Sequence, residues 1–136
     1  MSRDRRPLPR IDEESRGFWE ALARHELYLQ RCGSCERVRH PPRAVCPACL
    51  SSEIEWIRAS GNGQVYSFTV THQNHAPGFR NRLPYVLAVV ELDEGVRMMT
   101  TIGGCDPVEV RIGMPVTVEF DDVTDEITLP VFRPRS

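Results

Sequence analysis

The chain has 136 residues, 40% of them hydrophobic and 26% charged. That balance suits one small globular unit with an appended module and excludes a disordered chain. The formal net charge is −2, so the molecule as a whole exerts no attraction on nucleic acid or anionic membranes.

All 17 basic residues are arginine, and ten of them fall within the first 43 positions. Without lysine there is no Schiff-base amine and no P-loop phosphate ligand. No apolar run approaches the roughly 18 residues of a membrane span. Met1–Arg10 is charged and proline-bearing, without the apolar core of a signal peptide. The expectation is a cytoplasmic chain with no membrane segment. In that reducing compartment, paired cysteines are read as metal ligands before disulfides.

Residues 1–10 read as an arm, because Pro7 and Pro9 oppose regular structure. A helix is predicted over Asp12–Arg24, with Asp12, Glu13 and Glu14 in the first turn, where the helix dipole favours carboxylates. Phe18 and Leu22 lie four apart on one face, beside Trp19. Gly17 weakens this helix, which therefore needs a docking surface. Phe18 and Trp19 are candidates for a partner interface, with burial against a barrel as the equal alternative.

Glu26–Arg31 is predicted as a strand leading into a cysteine module at 32–50, punctuated by Pro41, Pro42 and Pro47. From Ile54 the pattern is β. Gln64–His72 places Tyr66, Phe68 and Val70 on one face, which reads as internal. Tyr85–Leu92 is a continuous apolar run, suited to a strand buried on both sides, and Asp93-Glu94-Gly95 turns it into Val96–Ile102. Val116, Val118 and Phe120 alternate with polar residues, and a last strand covers Glu126–Phe132. The fold class is mostly β: an N-terminal arm and helix (1–26), a rubredoxin-like zinc ribbon (27–52) and a five-stranded OB-fold barrel (53–136).

The strongest chemical signal is Cys32-Gly-Ser-Cys35, ten residues, then Cys46-Pro-Ala-Cys49. Each C-x₂-C pair lets a tight turn aim two sulfurs at one point, and two pairs complete a tetrahedron. Gly33 is expected to supply a positive φ in the first turn. Structural zinc is the expected cofactor, with rubredoxin-type iron or two redox dithiols as alternatives. Cys105 reads as an idle thiol. His72 and His75 read as solvated, His25 has no special context, and His40 is near enough to the ribbon to brace a ligand sulfur.

The long loop Asn74–Pro84 holds Phe79 with Arg80 and Arg82. Arginine beside an exposed aromatic suits a phosphate-bearing ligand, and a solvated loop capping the barrel is the equal alternative. Single-stranded nucleic acid is the competing use of such a barrel, but the barrel segment is acidic and its aromatics read as internal. No Gly-rich phosphate loop, serine elbow or closely paired carboxylates appear, so no catalytic site is expected.

The order and spacing of these pieces resemble one family: Phe18-Trp19, the Arg31–Cys49 ribbon with Pro41-Pro42-Arg43, Gly61-x-Gly63-x-Val65-Tyr66-Ser67-Phe68-Thr69-Val70, Pro84-Tyr85, Leu92–Gly95 and Ile112–Val116. This is the acyl-CoA-associated zinc-ribbon/OB-fold family. The resemblance implies a non-catalytic accessory subunit of lipid metabolism, paired with a thiolase-like enzyme, acyltransferase or lipid-transfer-protein-type aldolase, and in some members with a hotdog-fold hydratase. Acyl-CoA is the implied ligand, and by that analogy Phe79, Arg80 and Arg82 are candidates for the CoA-facing edge. The alternative remains a single-stranded nucleic-acid-binding module.

Overall fold

The computed structural model describes residues 9–72 and 83–135. Among the described residues one α-helix, α1 (Arg16–Ala23), is followed by strands β1 (Tyr28–Cys32), β2 (Val38–Arg39) and β3 (Ile54–Arg58), and a 3-10 turn spans Pro107–Glu109. Five longer strands come next: β4 (Asn62–Thr71), β5 (Tyr85–Leu92), β6 (Arg97–Ile102), β7 (Pro115–Asp122) and β8 (Thr128–Pro134). None of the described helices is long and apolar enough to cross a membrane.

The helix is shorter than the sequence suggests. The Asp12 carboxylate accepts the Ser15 N–H at 2.9 Å and the Ser15 hydroxyl at 2.8 Å. These bonds hold Asp12–Ser15 in a turn, as Asp and Ser do when they compete with helical pairing. They also draw the Asp12 carboxyl below its ordinary range, the Ser15 hydroxyl bond being the main cause. The three carboxylates of Asp12, Glu13 and Glu14 therefore precede the helix and do not occupy its first turn.

At the other end, the N–H of Glu26 bonds Ala21 O at 3.0 Å and that of His25 bonds Leu22 O at 2.8 Å. This is the bonding of a Schellman cap, with His25 at φ 60 where glycine is usual. His25 is fixed there from outside. Its Nε2 meets Asp122 at 2.9 Å and its ring stacks on Phe120 at 5.1 Å. The first strand then begins at Tyr28, two residues later than expected, because Glu26 is still part of the cap.

β2, β1 and β3 form a small antiparallel sheet, with Gln30 opposite both Arg39 and Trp56. The ribbon's sheet thus extends through Arg58. The five longer strands close into a barrel in the order β4-β5-β6-β8-β7, with one parallel contact at Ile102 and Phe132. Among the described residues the architecture is mostly β, with one α-helix, a ribbon and a closed five-stranded OB-type barrel.

Inside the barrel, Val65, Val86, Val90, Met98, Val116 and Phe132 are buried, and Phe18, Leu22, Leu27 and Leu29 join the same cluster. The helix therefore docks on the barrel through Phe18 and Leu22, which supplies the surface that Gly17 made necessary.

Two strand expectations need correction. β5 alternates instead of being buried on both sides: Val86, Ala88, Val90 and Leu92 point inward, while Leu87 is 36% exposed. Its apolar outer face borders the helix side of the molecule. In β4 a bulge falls between Val65 and Ser67, so Tyr66 is the extra residue. Val65 is buried and Tyr66 is 46% exposed, with the Arg97 guanidinium 3.7 Å above its ring. Phe68 and Val70 return to the core beyond the bulge.

Candidate metal centre and the adjoining groove

The two cysteine turns are near copies of each other. Glu36 N–H returns to Cys32 O at 2.9 Å, and Leu50 N–H returns to Cys46 O at 2.8 Å. The residue after each second cysteine, Glu36 or Leu50, takes the positive φ of 65. Gly33 does not, contrary to expectation. A Cβ there would instead sit tightly against Glu53 Cβ, at 3.0 Å. A hydrogen bond of 2.7 Å between the Ser34 and Ser51 hydroxyls ties the two turns together.

These turns bring Cys32, Cys35, Cys46 and Cys49 into one cluster, with every sulfur within 4.8 Å of the others. Cys32 Sγ lies 3.5 Å from Cys49 Sγ, and Cys35 Sγ lies 3.7 Å from Cys46 Sγ. Cys32 and Cys46 are buried, whereas Cys35 and Cys49 reach the surface.

The backbone prepares the buried pair for the thiolate form. N–H groups of Cys35 and Ser34 point at Cys32 Sγ, both at 3.4 Å, and pull its thiol down to about 6. The Cys49 and Ala48 N–H groups lower Cys46 in the same way. Cys49 also receives an N–H, from Ser51, but its bond to Cys32 and burial push it up to about 11. Four sulfurs crowded this closely cannot all carry charge unless a cation sits among them. An all-thiolate tetrahedral set fits zinc or another soft divalent ion and leaves no open coordination position.

His40 does not brace a ligand sulfur. Its ring packs on Phe18 at 5.2 Å, Nδ1 is buried without a partner, and burial pushes its pKa down to about 4. Cys105 packs at the core's edge, its thiol raised by burial and by nearby Glu109 and Asp106. His72 belongs to no metal-type cluster among the described residues. Phe79, Arg80, Arg82 and His75 lie outside the described residues.

Phe18 and Trp19 separate. Phe18 is 5% exposed and belongs to the core, while Trp19 is half-buried at its edge. Both line a groove of about 780 Å³ between α1, Pro41-Pro42 and the outer face of β5, β6 and β8. Leu87, Met99 and Val131 form its barrel wall, and Met99 is 69% exposed. Its ionisable lining is Arg10 and His40. The groove could not be found from sequence, because it depends on which residues of β5 and β6 face outward.

Residues 19–55 match the ChsH2 rubredoxin-like zinc ribbon domain, and residues 56–121 match the ChsH2 C-terminal OB-fold domain. A probable enoyl-CoA hydratase alpha subunit of Thermomonospora curvata is 43% identical over 95% of this chain, which spans only 40% of that relative. A DUF35 domain-containing scaffold protein of Methanocaldococcus jannaschii is 41% identical over 76% of this chain and 73% of its own length. The benzoylsuccinyl-CoA thiolase subunit BbsA of Thauera aromatica is 28% identical over 61% of this chain. Among solved structures, a chain of the Ltp2-ChsH2(DUF35) aldolase superposes with a TM-score of 0.85 at 43% identity, covering 93% of this chain and 98% of that one. With this ribbon, this barrel and these relatives, the chain belongs to the DUF35 family of zinc-ribbon/OB-fold proteins, to which the ChsH2 domains are assigned.

Proposed function

We propose that the chain is a non-catalytic accessory subunit that scaffolds acyl-CoA chemistry for a thiolase-superfamily enzyme, with a hotdog-fold hydratase as a further partner. The observation that carries this reading is the pairing of a closed four-thiol metal centre with an apolar groove whose described lining holds no acid–base pair. His40 is the one titratable base among the groove's described lining residues. Burial keeps it neutral, and no carboxylate among the described residues lines the groove to orient it.

Zinc in the cysteine cluster would be structural, locking the two turns and through them β1. The groove's width and apolar walls suit an acyl chain or a pantetheine arm, and Arg10 at its lining suits a phosphate or carboxylate. Phe79, Arg80 and Arg82 remain candidates for the CoA-facing edge, and Trp19 for the partner interface. The names of the relatives point the same way: hydratase alpha subunit, scaffold protein, thiolase subunit and aldolase complex. A cytoplasmic setting agrees with free thiols held for metal.

The test is affinity capture of the tagged chain from its host, with mass spectrometry of what co-purifies. A stoichiometric thiolase-like, aldolase-type or hydratase enzyme is expected. A free monomer carrying nucleic acid would sink the reading. One feature favours that second possibility: Tyr66 is exposed on the barrel, as a base-stacking platform requires. Arg97 covers one face of the ring and is itself paired with Glu91 at 3.4 Å, which weighs against it.

A further inference from the structure

A second cleft, of about 720 Å³, opens along another face of α1, between its first turns and the ribbon's sheet. Trp56 and Gly17 are among its lining residues. Among the described residues Asp12, Glu13, Glu14 and Glu20 line it with one guanidinium, that of Arg16, which is paired with Glu13. These carboxylates are spread along the cleft. Among the described residues they do not gather into a metal-type cluster, so acidity alone makes no cation site here.

The second feature is Gln30, which also lines the cleft and is 1% exposed. Its Oε1 accepts the Arg39 Nε–H at 2.7 Å and the Arg43 N–H at 2.8 Å. Those two bonds fix the amide's orientation, because only the oxygen can accept them. Its Nε2 is left buried with no partner. Buried amide donors are nearly always satisfied, so an orphan in the wall of a cleft marks where an acceptor is missing.

We propose that this cleft receives an extended segment of a partner protein bearing an arginine or lysine. The cation would lie beside the Glu20 carboxylate over the Trp56 indole, with Glu13, already paired with Arg16, and Glu14, which accepts the Ala44 N–H at 2.9 Å, adding negative charge, and a main-chain carbonyl would take the Gln30 Nε2–H. Arginine on an indole between carboxylates combines charge pairing with cation–π attraction, and the carbonyl supplies the acceptor that a side-chain cation lacks. Glu20 is suited to this role, since its carboxylate makes no ion pair among the described residues. Nε2 is closed to water, so seating the carbonyl requires a small outward movement of the lining side chains. Resting on the accessory-subunit reading, the proposed segment belongs to the partner enzyme.

The test needs no partner. A tetra-arginine amide peptide is titrated into the intact ¹⁵N-labelled chain, with tetra-aspartate as control. The expected result is a saturable shift of the Gln30 side-chain amide and Trp56 Nε1–H resonances with tetra-arginine alone. Glu20→Arg, whose dispersed spectrum reports that it stays folded, should weaken that binding at least tenfold. No shift at Gln30, an equal affinity in Glu20→Arg, or the same shift with tetra-aspartate would each overturn the proposal. Capture from the host is a separate measurement, so a failure here and a failure of the accessory-subunit reading are told apart.

Discussion

A Cβ added at Gly17 would lie 2.7 Å from Trp56 Cε2, so the helix rests on the ribbon's indole with no room for a side chain between them. This contact sets how closely α1 approaches β3, and both residues line the acidic cleft beside the helix. By helix propensity alone, Gly17→Ala would stabilise by about 1 kcal/mol. The clash reverses the sign. Urea unfolding should show Gly17→Ala less stable by about 1–3 kcal/mol, the usual cost of overpacking. A gain in stability would show that the helix can lift off the indole freely.

Cys46→Ser removes a buried ligand from the cluster and leaves three thiols that cannot complete a tetrahedron. Bound zinc, measured by mass spectrometry of metals, should fall from about one equivalent to near none. Amide exchange across residues 32–50 should rise sharply, while the barrel strands stay protected. A variant that kept both its metal and its ribbon protection would refute the structural-zinc assignment.

His40 gives the fold a defined acid weakness. Its pKa is lowered to about 4 when folded, against an ordinary value of 6.5, because burial penalises the charged ring. The unfolded chain therefore binds the proton first as the pH falls. Stability from this group is fully present above about 6.5 and is lost as the pH falls towards 4. The loss amounts to roughly 3 kcal/mol, at about 1.4 kcal/mol per unit. His40→Phe, which keeps a ring against Phe18, should flatten this part of the pH–stability curve between 7 and 4.5. An unchanged slope would mean that the histidine is not the group titrating.

Phe132 is fully buried, and it sits where β8 meets β6 in the one parallel contact that closes the barrel. Phe132→Ala should cost about 3–5 kcal/mol in urea unfolding, through lost burial and the cavity left behind. Trp19→Ala, at the edge of the apolar groove, should cost far less stability. It should instead weaken binding of a medium-chain acyl-CoA, measured by calorimetry.

Much of the fold is legible in the sequence because its signals are local. The spacing of Cys32, Cys35, Cys46 and Cys49 in two C-x₂-C turns announces the cluster in which all four sulfurs lie within 4.8 Å of one another. Val116, Val118 and Phe120 alternate in a strand that pairs without interruption from Val116 to Asp122. What escaped was set by contacts between distant positions. One extra residue at the bulge moved Tyr66 from the expected inner face to the outside, because strand alternation inverts with a single insertion. The apolar run of β5 does not distinguish a strand buried on both faces from one whose outer face borders a groove. His25 looked contextless because its partner, Asp122, lies 97 residues away in the chain. The orphaned Gln30 amide is likewise invisible until β1, β2 and the Arg43 backbone come together.

The most direct test of the central claim is an acyl-CoA turnover assay of the purified, zinc-loaded chain, alone and with the enzyme that co-purifies with it. The chain alone should turn over no thioester, and adding it to the enzyme should raise the enzyme's rate or stability. The Trp19→Ala variant should enhance less. Turnover by the chain alone, persisting after repurification and abolished by a substitution in its own groove, would contradict a non-catalytic accessory role.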